Sequence, residues 1–179
     1  PKGRFNSVCF VYRDSLYVFG GTDNSSNMNE IVRYDLSTQN SGEWTTIAKV
    51  NEANQRGGVA FVVEDKVYAG LGEKSNGIRN GFYVSSDSLT KWELIPSIPA
   101  QLGVISSGVY DEQKKSFFMI DNDGKIWEYN LTTEQWTSRS LWIRMKNYHM
   151  FMLDGSIYIL GQDIYQKNKF TVYNPIWDN

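Results

Sequence analysis

The chain has 179 residues, a net charge of −2 and an aromatic content of 15%, with six Trp and eleven Tyr. That charge argues against a nucleic-acid partner, which would select a basic surface. No apolar run approaches the roughly 18 residues of a membrane-spanning helix, and the single cysteine, Cys9, excludes an intramolecular disulfide and a multi-cysteine metal site.

In chain order, the first repeat places strands, here A to D, at 5–12, 16–20, 30–34 and 44–47. The second places them at 58–63, 66–71, 81–85 and 91–95, and the third at 104–110, 116–120, 125–129 and 135–137. The fourth runs 148–153, 156–161 and 170–173, with a weak last strand at 176–177. Polar turns such as Arg13-Asp14-Ser15, Glu64-Asp65 and Asp154-Gly155 separate A from B and read as tight hairpins. No segment carries a 3.6-residue apolar stripe, so the whole chain reads as strand and loop. Cys9, on an alternating strand, reads as a small buried hydrophobe.

Tyr17, Tyr68, Phe118 and Tyr158 occupy corresponding positions, spaced by 51, 50 and 40 residues. Four short strands per unit at such a period predict a β-propeller with blades at about 1–50, 51–100, 101–142 and 143–179. The Tyr on strand C and the Trp on strand D (Trp44, Trp92, Trp136) read as wide side chains filling the space between blades.

The residues Arg4, Leu16-Tyr17-Val18-Phe19-Gly20-Gly21, Tyr34-Asp35 and Trp44 resemble a kelch repeat. The fourth unit is similar, with Lys146-Asn147-Tyr148-His149, Ile157-Tyr158-Ile159-Leu160-Gly161 and Tyr173-Asn174-Pro175. The double glycine becomes Leu71-Gly72, Asp121-Asn122 and Gly161-Gln162 in later units, and the leading basic residue gives way to Gln101 in the third. The resemblance implies an all-β kelch-type propeller of four four-stranded blades, either part of a larger ring or an open arc. The sequence style resembles kelch proteins of bacterial cell envelopes, implying an exported parent of which this chain is a part.

Strand alternation puts the B–C and D–A loops on one face, and the B–C loops at 21–29, 72–80 and 161–169 are long. That rim is mildly basic and its opposite acidic, a dipole that would steer an anionic partner to the long loops. Strand A is innermost in a kelch blade, so by resemblance Arg4, Arg56 and Lys146 line the mouth of the central channel. Tyr148 and His149 lie beside Lys146, and Arg79 adds a guanidinium from the second long loop. These six form the candidate ligand site. The alternative for the basic residues is to tie neighbouring loops together, and for His149 to serve as a structural hydrogen-bonding group.

Two local motifs have structural readings. Asp121-Asn122-Asp123-Gly124 lacks the flanking ligands of a calcium loop and reads as a hairpin turn. Ser85 to Trp92 resembles the Asp-box turn of sialidases, with Leu89 where glycine stands in that motif. Asn24-Ser25-Ser26 and Asn130-Leu131-Thr132 fit the glycosylation pattern. No cofactor, metal or catalytic residue is expected. The leading reading is a non-catalytic module presenting its loops to a protein or glycan. The alternative is a carbohydrate-active enzyme of sialic-acid mutarotase-like or sialidase-like type, using an arginine with Glu52 near the mouth.

Overall fold

A computed structural model describes residues 2–35, 43–77, 81–86, 88–99, 105, 107–121, 123–142, 145–163 and 165–175. The chain divides into two compact units, Pro1–Ser97 and Ile98–Asn179.

In the first unit the strands are β1 (Val8–Tyr12), β2 (Ser15–Phe19), β3 (Glu30–Asp35), β4 (Trp44–Lys49), β5 (Gln55–Arg56), β6 (Val59–Val63), β7 (Lys66–Gly70), β8 (Glu73–Lys74), β9 (Phe82–Ser86) and β10 (Glu93–Leu94). They form a four-stranded sheet in the order β1-β2-β3-β4, a second in the order β10-β9-β7-β6, and a two-residue ladder β5-β8. The second unit holds β11 (Gly108–Asp111), β12 (Ser116–Ile120), β13 (Lys125–Asn130), β14 (Gln135–Trp142), β15 (Lys146–Leu153), β16 (Ser156–Gln162) and β17 (Asn168–Tyr173). Its sheets are β11-β12-β13-β14 and, among the described residues, the three-stranded β15-β16-β17. The predicted strand at 176–177 lies outside the described residues. Every pairing is antiparallel between strands close in sequence, which is the meander of a propeller blade.

The hairpins form for the reason their sequences suggest. Arg13 and Asp14 have φ of 45° and 56°, and Asp154 and Gly155 have 48° and 71°. Left-handed backbone at both turn positions matches the right-handed strand twist, so two residues suffice to reverse the chain.

Period-two alternation then sorts side chains onto faces. Val8, Phe10 and Tyr12 of β1 and Tyr17 and Phe19 of β2 share one buried cluster with Val67, Ala69 and Leu89. β1 lies alongside β6, and the Tyr12 hydroxyl donates to the Asp65 carbonyl at 3.1 Å, so this face of the first sheet packs on the second. The second unit repeats the arrangement. β11 lies alongside β15, and Val109, Phe118, Ile120 and Ile126 pack with Met150, Ile157, Ile159 and Tyr173.

Two features depart from the sequence reading. Cys9 is exposed, because it alternates with Val8 and Phe10 and so points to the other face of β1. Partial desolvation pushes its thiol pKa up. The β5-β8 ladder pairs Gln55 with Lys74 and Arg56 with Glu73 inside segments expected to be loop.

Candidate functional site

The glycine pair after β2 sets up the loop side of the first unit. Gly20 and Gly21 both have left-handed φ, 64° and 97°. A Cβ on Gly20 would run into the carbonyl oxygens of Ala53 and Gln55. The chain therefore leaves the sheet pressed against 53–55, and the Gly21 amide donates to the Gln55 carbonyl at 2.8 Å. Gln55 in turn accepts from the Gly72 amide through its side-chain carbonyl at 3.2 Å. The long loops of the first and second sheets are tied together through one residue.

Loop 22–27 is stiffened internally. Phe5 and Thr22 exchange backbone hydrogen bonds of 3.0 Å, and the Thr22 hydroxyl donates to the Ser26 carbonyl at 3.0 Å. Asp23 Oδ1 accepts from the amides of Ser25 and Ser26 and from the Ser25 hydroxyl, while Lys2 pairs with Oδ2. The Lys2 ammonium, followed by the Ser25 hydroxyl and the two amides, holds the Asp23 carboxyl far below its ordinary range. Asn27 reaches across and donates to the Glu73 carbonyl at 2.9 Å.

Between this loop and the β5-β8 ladder lies a cleft of about 350 Å³. Asn24, Ser25, Ser26 and Asn27 line one wall. Arg56, Glu73 and Lys74 line the other, with Ser75 and Gly77 beyond them. Arg56 sits on the wall because β5 is paired with β8, which brings its guanidinium to Glu73 Oε2 at 3.0 Å from Nε and 2.7 Å from Nη2. Lys74 donates to the Tyr83 hydroxyl at 2.9 Å and lies 5.2 Å from the ring centroid. Hydroxyls, amides and an ion pair make a lining that recognises by hydrogen bonds. Nearly half the Arg56 side chain is exposed, and only one side of its planar fork is used by Glu73.

Of the six predicted site residues, Arg56 lines the cleft. Arg4 is in the same unit but buried beside it, with Nη1 donating to the Gly20 carbonyl at 3.2 Å and Nη2 to Glu30 Oε2 at 2.8 Å. It thus clamps the glycine turn to β3, and the hydrogen bond it gives holds the Glu30 carboxyl below its ordinary range. Arg79 lies outside the described residues. In the second unit Lys146 opens β15 opposite Gln162. Tyr148 is buried, with its hydroxyl donating to the Ile120 carbonyl. Burial, reinforced by the Asp121 charge, pushes that hydroxyl's pKa up. His149 points to the exposed face of the same strand. The polar wall at 24–27 and the pair Glu73 and Lys74 were not among the predicted residues; the length of the two loops was the signal that could have found them.

Among the described residues no group of His, Cys, Asp and Glu is arranged to hold a metal ion. Residues 3–51 match the Kelch motif, a repeat that generally mediates protein interactions. No curated protein matches the chain. The matched span contains the whole first sheet, Arg4 and the glycine pair, and the loop 22–27 that forms one wall of the cleft. Residues 3–51 are therefore matched by a kelch motif, and the chain is an all-β protein whose four-stranded antiparallel sheets are consistent with kelch-type propeller blades.

Proposed function

We propose that the chain is a non-catalytic binding module that seats a protein or glycan ligand on its long-loop side, at the cleft between loop 22–27 and the β5-β8 ladder. The observation that carries this reading is the cleft's composition. Loop 22–27 and the β5-β8 ladder border a cleft of about 350 Å³ lined by hydroxyls and amides, with Arg56 and Lys74 offering further donors. Such a surface favours ligands rich in acceptors, including anionic ones, and the preformed loops lower the ordering entropy that binding must offset.

The test is binding of the 179-residue protein to glycan and peptide arrays, followed by titration of the best hits against Arg56→Ala and Lys74→Ala. Each substitution should weaken binding about tenfold, the scale of one charge-assisted hydrogen bond. Hits that bind both variants as tightly as the original would overturn the reading. So would conversion of sialic acid anomers by the protein, followed by NMR.

A further inference from the structure

The carboxylates of the cleft between loop 22–27 and the β5-β8 ladder are already spent. Glu73 Oε2 accepts from Arg56 twice, at 3.0 Å from Nε and 2.7 Å from Nη2. Asp23, which braces the opposite wall, takes the Ser25 and Ser26 donors on Oδ1 and the Lys2 ammonium on Oδ2. A cationic ligand would meet only acids whose charge is matched. The donors are spent to a lesser degree. Arg56 uses the Nε side of its fork and has no other partner among the described residues, which leaves the Nη1 hydrogens unused. The Arg56 side chain is 49% exposed against 18% for Glu73, so the accessible half of this pair is the guanidinium.

Lys74 gives one hydrogen to the Tyr83 hydroxyl at 2.9 Å and keeps the others. Asn24 and Ser75, both exposed, add uncharged donors on the two walls. Among the charged lining residues Arg56 and Lys74 stand against Glu73, an excess of one positive charge. None of the described lining residues is aromatic, and the Tyr83 ring behind them is covered by the Lys74 ammonium. Neither the face of a sugar ring nor an apolar side chain finds a surface to lie on. A planar carboxylate does find one, since the Nη1–Nη2 end of a guanidinium offers it two parallel hydrogen bonds. Main-chain carbonyls flanking that carboxylate would suit Lys74 and the amides and hydroxyls of the walls.

We propose that the cleft binds an acidic segment of a partner protein, with a side-chain carboxylate of that segment paired end-on with Arg56 and with Glu73 setting the affinity. The inference rests on this cleft being the ligand site. Glu73 has two opposed effects on one guanidinium. Its hydrogen bonds hold the Arg56 fork in place, which lowers the ordering cost of binding. Its negative charge repels the incoming carboxylate and cancels part of the attraction. The two effects separate in Glu73→Gln, because an amide oxygen still accepts from Arg56 but carries no charge.

Calorimetric titration of the 179-residue protein with hexaglutamate, hexaglutamine and oligogalacturonate tests this. Hexaglutamate should bind most tightly of the three, and less tightly as salt rises from about 0.05 to 0.5 M, because the pair is open to screening. Glu73→Gln should tighten hexaglutamate binding about threefold, the scale of one exposed charge contact. Arg56→Ala should weaken it about tenfold, and Arg56→Lys, which keeps the charge without the fork, should recover little of that loss. Glu73→Gln that fails to tighten binding would overturn the role given to Glu73. Hexaglutamate bound no better than hexaglutamine would overturn the carboxylate inference, and the cleft would still stand if array hits weaken on Arg56→Ala. Array hits indifferent to Arg56→Ala would remove the cleft itself. Oligogalacturonate bound more tightly than hexaglutamate would place the carboxylate on a glycan and overturn the protein partner.

Discussion

Two leucines hold backbone that glycine normally takes. Leu71 has φ 61° and Leu89 has φ 58°, and both side chains are fully buried. Leu71 stands where the first repeat has Gly20, which has φ 64°, so the turn geometry has been kept while the residue changed. A left-handed residue with a Cβ costs about 1–2 kcal/mol, whereas burying a Leu side chain gains about 1.5–3 kcal/mol; burial wins. Leu89 adds a carbonyl that accepts from Trp92 Nε1 at 3.0 Å, and Trp92 packs on Phe19 at 5.1 Å. The prediction is an inverted order of variants. Leu89→Ala removes the packing and keeps the strain, while Leu89→Gly removes both. Urea unfolding should therefore find Leu89→Gly more stable than Leu89→Ala by about 1 kcal/mol, with both below the original protein. The usual order, glycine below alanine, would show that Leu89 is not strained. Such positions explain why the glycine signal faded along the sequence: the conformation persisted after the residue that announces it was replaced.

At the scale of elements, the four sheets were legible because their strands read as short apolar or alternating runs separated by polar turn residues, as in the alternating β1 and β2 and the continuously buried β12. The chain needed only local pairing to realise them. The β5-β8 ladder was not, since Gln55-Arg56 and Glu73-Lys74 have no apolar alternation and pair only because the glycine turn holds 53–55 in place. The buried charge pair in the third sheet was equally silent. Glu128 on β13 lies on the face of Phe118 and is paired with Arg139 on β14, both side chains being largely buried. Two charges on adjacent strands look in sequence like any solvated pair, and only the packing shows their burial. Removing one partner strands the other in a poorly solvated site. Glu128→Ala should cost about 2–4 kcal/mol in denaturant unfolding, and the double variant Glu128→Leu/Arg139→Met should recover most of that loss. Equal stability of Glu128→Ala and the original protein would mean that Arg139 regains water.

At the scale of the whole molecule, repeat proteins add the stabilities of their units and of the contacts between neighbours, so an ion pair acts first on its own unit. The rim that carries the cleft was legible from loop length. Its chemistry was not, because Asn27 acquires its role from a bond to the Glu73 carbonyl that crosses between two repeats, and Glu73 and Lys74 are placed by the β5-β8 ladder. Bonds within the first repeat make the unit Pro1–Ser97 sensitive to acid. Arg4 holds the Glu30 carboxyl below its ordinary range, and Lys2 with the Ser25 and Ser26 groups does the same for Asp23. A carboxyl with a depressed folded pKa contributes stability that is complete above its unfolded value, near 4.3 for Glu, and is withdrawn as pH falls through the folded value. Amides of β3 and loop 22–27 should lose hydrogen-exchange protection as pH drops from about 5 toward 3, after correction for intrinsic rates. Glu30→Gln cannot titrate there. It should start less protected at neutral pH and lose less on acidification, so its profile crosses toward that of the original protein. Parallel profiles would assign the acid sensitivity to Asp23 alone, and leave Arg4 anchored by the Gly20 carbonyl rather than by the charge on β3.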